Sequence, residues 1–250
     1  MFCLIMLFSW LFLGYDAVMN SELRYYVKKT FYDSIEYFRS KYKLTAKDVS
    51  ELARFEEKNQ YAYDRRNFIN LNLKKAVLYC GAVRTSVSRA LNLYDVMKND
   101  DSLPYFHLMQ KYDSRKYENL LHAISGEDFI TIQNDVFMHF FGAKSFANDK
   151  SQGKMQELLD CFLSISDCAN GRFWKSVAEV LKHNETSQRQ LAMRLNIDYP
   201  AMNKYINLKY PNPGIDIIYA VAKELSIDID EAITTQADIK VYYDLFDRML

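Results

Sequence analysis

A chain of 250 residues in which 49% of side chains are hydrophobic and 15% aromatic can bury a real core, which excludes a disordered chain. Its 32 Lys and Arg balance its 32 Asp and Glu, so the overall charge gives no reason to expect a nucleic acid or any other charged partner. With only 7 Gly and 4 Pro, and little of the alternation that strands need, the expectation is an all-α protein of tandem helical domains joined by short connections.

Met1 to Gly14 (MFCLIMLFSWLFLG) is almost wholly apolar, but no Lys or Arg precedes it. Its length of about 14 residues falls short of the ~20 that cross a bilayer. Two readings stay open for residues 1–18: an upstream extension of a protein that starts at Met19, or an amphipathic or membrane-associated tail. A membrane partner is not expected, and the expected location is the cytoplasm.

Residues 19–99 form the first expected domain. Within it, residues 19–92 carry 15 Lys and Arg against 8 Asp and Glu. A phosphate backbone responds to local basic surface and not to the chain average, so this third is electrostatically the best suited to DNA; an ordinary solvated surface is the alternative. Its text runs through Leu44-Thr45-Ala46, then Val49, Ala53 and Phe55, then Lys58 to Asn67, then Leu71, Leu73, Ala76, Val77, Cys80 and Gly81 at helical spacing.

Residues 100–172 follow the turn signal Asn99-Asp100-Asp101 and are acidic: residues 93–172 hold 8 Lys and Arg against 12 Asp and Glu. Leu120-Leu121 with Ile124, Phe129 to Phe140 and Met155 to Leu163 outline a third helical unit, whose charge argues against phosphate contact and suits a dimer or protein-partner module. The small, polar stretch Gly142 to Gly153 reads as an exposed loop. Cys3, Cys80, Cys161 and Cys168 lack the paired spacing of a zinc site and read as free thiols.

Residues 173–235 divide into five helices. Val177, Val180 and Leu181 lie at helical spacing, and Asn184 to Ser187 interrupts them with cap-forming residues. Ser187 caps a second helix, Gln188 to Leu195, that buries Leu191, Ala192 and Leu195. Asn196-Ile197-Asp198 makes a turn, with Ile197 inward and Asp198 placed to cap a third helix from Tyr199, where Pro200 is tolerated in the first turn. That helix buries Met202, Tyr205 and Ile206 and presents Tyr199, Pro200, Asn203 and Lys204. Pro211 and Pro213 stop it. Asp216 to Leu225 and Ile229 to Ile233 supply the fourth and fifth helices, and residues 236–250 a helical tail.

Ser187-Gln188, Leu191-Ala192, Ile197, Met202, Asn212-Pro213 and Leu225-Ser226-Ile227-Asp228 keep the order and spacing of a known pattern over about 60 residues. On these residues the segment from Phe173 to Ile233 resembles the lambda-repressor/Cro (XRE) family of helix-turn-helix domains. The resemblance implies a five-helix fold whose third helix docks in the major groove of double-stranded DNA. It assigns Gln188, Lys209 and Asn212 to the phosphate backbone and Tyr199, Asn203 and Lys204 to base edges. Ser226 stands where the family has glycine, which asks it to accept any positive φ there. Tyr199 and Pro200 are bulky for a groove.

Moved back by 142 positions, this domain falls on Phe31 to Ala90: Val49, Ala53 and Phe55 meet Leu191, Leu195 and Ile197, and Thr45 meets Ser187. Residues 31–92 are then a degenerate second helix-turn-helix, with Lys58, Asn59, Gln60, Arg65 and Arg66 as its groove or phosphate residues. The alternative is that any two amphipathic helical segments can be overlaid in this way.

His107, His122, His139 and His183 stand singly, and no nucleophile elbow or phosphate-cradling glycine loop occurs. No enzyme, metal or cofactor is expected. The expected function is a sequence-specific, repressor-like transcriptional regulator of bacterial or phage type, acting as a homodimer on double-stranded DNA. The alternative is a helical protein-interaction adaptor that keeps repressor-like folds without binding DNA.

Overall fold

The computed structural model describes residues 21–68, 71–92, 106–116, 118–119, 149–209 and 212–247. Residues 1–18, and the segments 120–140 and 142–148 on which most of the acidic third unit and its loop were expected, lie outside the described residues. The described part is helical; its β-pairing is one isolated antiparallel bridge, Asn72 to Gly214.

Helix α1 (Ser21–Lys41) carries Glu22 in its first turn and Arg39 and Lys41 in its last, the arrangement the helix dipole favours. Val27, Phe31, Ile35 and Phe38 repeat along one buried face. Lys43 then takes a left-handed conformation, φ 54°. Helix α2 (Ala46–Leu52) starts at a capping box: the Asp48 N–H donates to Thr45 Oγ1 at 3.1 Å, and the Thr45 N–H to Asp48 Oδ2 at 2.6 Å. Helix α3 (Gln60–Asn67) is short, and α4 (Leu73–Val83), capped by Asn72, is buried nearly all round. Arg84 turns left-handed at φ 58° and lays its buried guanidinium 5.0 Å from the ring centre of Tyr42, before α5 (Val87–Ala90).

After α6 (Phe106–Tyr112), α7 runs unbroken from Asp149 to His183. The domain boundary expected at residue 173 therefore falls inside a helix, and Asp149 to Gly153, expected in a loop, begin it. The reason is a continuous buried stripe, Phe162, Ile165, Ala169, Phe173, Trp174 and Val177, that packs largely on α4 and leaves no break at which to separate units. Gly81 of α4 makes this approach possible, since a β-carbon there would sit 2.6 Å from the Phe162 ring. Helices α8 (Gln188–Arg194), α9 (Tyr199–Ile206), α10 (Ile215–Leu225) and α11 (Ile229–Ile233) complete the five-helix unit, and α12 (Gln236–Asp247) packs on α6, where the Tyr243 hydroxyl donates to the Asp113 carbonyl at 2.9 Å. Buried residues of both halves belong to one continuous core.

Several backbone features recur at the 142-residue offset. Thr45 and Ser187 both open capping boxes, and the left-handed residues Lys43, Arg54 and Arg84 recur as Glu185, Asn196 and Ser226. One section departs. Residues 53–59 join α2 to α3, whereas the shorter 195–198 joins α8 to α9; residues 68–72 then lead to α4, against the longer 207–214 before α10.

Candidate nucleic-acid interface

The α8–α9 pair is built for exposure of one face. Ser187 Oγ accepts from the Gln190 N–H at 3.1 Å and Gln190 Oε1 from the Ser187 N–H at 2.7 Å, which starts α8 firmly and leaves Gln188 and Arg189 outside the box. Leu191, Ala192 and Leu195 are buried, Asn196 takes φ 50°, and the chain enters α9 after the Ile197 N–H bonds the Ala192 carbonyl at 2.9 Å. Asp198 occupies the cap position of α9 but makes no side-chain cap bond, contrary to the capping role expected for it; Pro200 supplies the preset φ of a first turn instead.

Two anchors hold α9. Met202 is wholly buried, and Tyr205 stacks on Trp174 of α7 with ring centres 5.6 Å apart and planes at 15°. Such aromatic pairs contribute about 0.5–1.5 kcal/mol beyond their buried area. Trp174 is itself buried and donates from Nε1 to Asn170 Oδ1 at 3.1 Å. The opposite face carries Tyr199, Pro200 and Lys204, all exposed, with Asn203 half-buried beside them. Lys209 and Asn212 are exposed in the connection to α10, and Gln188 is half-buried at the start of α8. The six residues expected here thus lie on the α8–α9 pair and the loop that follows it.

Two residues escaped the sequence reading. Asn207 donates from Nδ2 to the Asn203 carbonyl at 2.9 Å and to Asn203 Oδ1, so one acceptor position of the Asn203 amide is already in use. An Asn four residues on was the available signal. Arg189 is exposed next to Gln188. Arg194, by contrast, is committed to Glu224 at 3.3 Å.

The five residues expected in the first half fare unequally. Lys58, Asn59 and Arg66 are exposed. Gln60 donates to Asp64 Oδ1 at 2.7 Å, and Arg65 lies 3.2 Å from Glu36. Asp64 is buried and also accepts from Lys75 Nζ at 2.6 Å and from the Tyr79 hydroxyl at 2.7 Å, so α3 is tied to α4 through a polar anchor. Burial pushes the Glu36 carboxyl up. Hydrogen bonds from Arg39 and Tyr61 and the charges of Arg39 and Arg65 outweigh that and hold it below the ordinary glutamate range.

Residues 177–238 match the family model of the Cro/C1-type helix-turn-helix DNA-binding domain. The C-terminal region is a Cro/C1-type domain. No curated protein and no solved structure matches the chain. The match covers helices α8 to α11 of the Cro/C1-type domain and reaches into α12, and it takes in all six C-terminal residues considered for DNA contact. Among the described residues, no cluster of His, Cys, Asp and Glu could hold a metal ion, and no helix is long and apolar enough to cross a membrane.

Proposed function

We propose that the protein is a sequence-specific, cytoplasmic transcriptional regulator of bacterial or phage type that acts by occupying a duplex operator, by binding and not by chemistry. The observation that carries this reading is the mounting of α9: Met202 and the Trp174–Tyr205 stack fix the helix, while Tyr199, Asn203 and Lys204 point away from the core in a domain of a DNA-binding family. A rigidly held helix with outward polar groups suits major-groove entry, and each well-placed base contact is worth about 1–3 kcal/mol of discrimination. Lys204 donates to a guanine edge, Asn203 offers its NH₂ to a base acceptor, and Gln188, Lys209 and Asn212 hold phosphates on either side.

Selection of the full chain against a random duplex pool, followed by a salt titration of the enriched site, tests this. Binding that weakens steeply with salt and is relaxed at one base by Lys204→Ala is the expected result. No binding to any duplex at low salt refutes it. The α8–α9 segment also exposes Met193 (73%), Leu208 (50%) and Tyr199 (44%), more apolar surface than a groove needs, which favours a second reading as an adaptor that docks another protein there. Retention of a protein partner in the absence of any duplex binding would select that reading.

A further inference from the structure

A regulator of this kind ordinarily acts as a two-fold dimer, and a homodimer is the expectation from the sequence. The packing inside the chain supplies something else. With the 142-residue offset as a guide, equivalent positions of the two halves touch each other. Asn72 forms its antiparallel bridge with Gly214, its own counterpart. Ser88 meets Asp230, also its counterpart: the Ser88 N–H donates to Asp230 Oδ2 at 3.2 Å and the Asp230 N–H returns a bond to Ser88 Oγ at 3.3 Å. Helix α4 packs on α10 and α5 on α11, while α1 packs on α10 and α7 on α4. Contacts in which i meets j and j meets i are the mark of a two-fold interface. Left-handed backbone at a residue other than glycine costs about 1–2 kcal/mol, and its recurrence at three matched positions is not what unrelated amphipathic helices produce.

The charges at this interface separate the two halves from copies of themselves. Lys74 in α4 lies 2.6 Å from Asp167 of α7. At the counterpart of Lys74 stands Asp216, which is buried and faces Arg24 at 3.7 Å and Lys28 at 4.0 Å. Two C-terminal halves put together in the same way would set Asp216 against Asp167, and two N-terminal halves would set Lys74 against Arg24 and Lys28. Like charges thus oppose both homotypic pairings, and opposite charges favour the pairing within the chain.

We propose, resting on the regulator reading, that residues 21–91 take the place of the second subunit: one chain is its own pseudo-dimer and presents the α2–α3 and α8–α9 pairs to one duplex that carries two unlike half-sites. Helices α2, α3, α8 and α9 pack mainly within their own halves and leave this internal interface to the other helices. The half-sites differ because the heads differ. In the first half the connection into α3 is longer, Gln60 and Asp64 are spent on internal bonds, and Lys58 and Arg66 remain exposed on the most basic third of the chain. That head holds phosphates, and α9 reads bases.

The test uses the full chain and the duplex enriched from a random pool. The mass of the complex by sedimentation gives chains per duplex, and hydroxyl-radical footprinting maps protection. One chain per duplex, with two protected patches about one helical turn apart and sequence preference confined to one of them, is the expected result. Lys58→Ala with Arg66→Ala, both exposed and outside the core, should remove protection from the other patch. It should lower the slope of log K against log salt by about 2 and leave the preferred sequence unchanged. Two chains on a palindromic site, or a single patch indifferent to the double variant, overturns the proposal while the regulator reading stands. Absence of binding to every duplex removes both.

Discussion

Asp230 is the group on which the internal pairing can be weighed most directly. It is fully buried, and its carboxylate accepts from the Val87 N–H at 2.9 Å and the Ser88 N–H at 3.2 Å, so it caps the first turn of α5 from the other half of the chain. Hydrogen bonds to a charged group contribute about 1.5–3 kcal/mol each when the donor has no other partner. The Val87 N–H is buried and forfeits that amount in Asp230→Ala, whereas Ser88 is half-exposed and water can replace much of its bond. Release of the buried carboxylate from its own desolvation offsets a part, which leaves a loss of about 1–3 kcal/mol. Asp230→Asn keeps one acceptor and should lose about half as much. Urea unfolding followed by tryptophan fluorescence, to which Trp10 and the buried Trp174 both contribute, measures both variants through the shift in midpoint at unchanged slope. A drop of under about 0.5 kcal/mol for Asp230→Ala would show that this cap between the two halves contributes nothing to their pairing.

Ser226 sits at φ 54°, where a residue with a β-carbon is disfavoured by about 1–2 kcal/mol, while glycine adds freedom to the unfolded chain; Ser226→Gly should therefore stabilise by up to about 1 kcal/mol. A rise of about 2–4 °C in Tm by scanning calorimetry is the expected reading, and a fall would show that the hydroxyl has a structural use. Glu36 titrates below the ordinary glutamate value, so it contributes stability that is present above the unfolded pKa near ~4.3 and is lost as pH falls through the lower folded value. Glu36→Gln should flatten the acid limb of stability against pH in that window, and an unchanged limb would refute the assignment. Burial first, and then the charge of Asp238, push the Cys161 thiol up to about 12 against the opposing charge of Arg172, and burial also raises Cys80, while Cys168 is exposed. Peptide mapping after brief alkylation of the native protein at pH 8 should find Cys168 labelled and Cys80 and Cys161 protected.

Much of the C-terminal domain was legible because its determinants are local. A Ser three residues before a Gln makes a capping box wherever the chain lies, Leu191-Ala192 and Met202 declare a buried stripe by spacing, and a serine in the position of a C-terminal glycine has to turn left-handed. Other features were legible only in outline. Asp198 has the right chemistry for a cap yet makes no cap bond, and Gln60 and Arg65, polar and on a short helix, are turned to Asp64 and Glu36. The boundary expected at residue 173 lies inside the helix Asp149–His183, a covalently continuous helix that serves two packing surfaces at once, and composition carries no mark of that. The order of Asn203 by Asn207 depends on which rotamers meet across one helical turn.

The residue pattern alone settled the helical class, the Cro/C1-type domain and which face of its third helix looks outward, since these follow from spacing of 3 to 4 residues along one element. The partner of that domain was decided by the fold. Lys74 and Asp216 lie 142 residues apart and each meets an opposite charge across the interface. No periodicity in the chain expresses such a match, because it exists only once α1 and α7 have been laid against α10 and α4 and the surfaces that exclude water have brought distant charges within 4.0 Å.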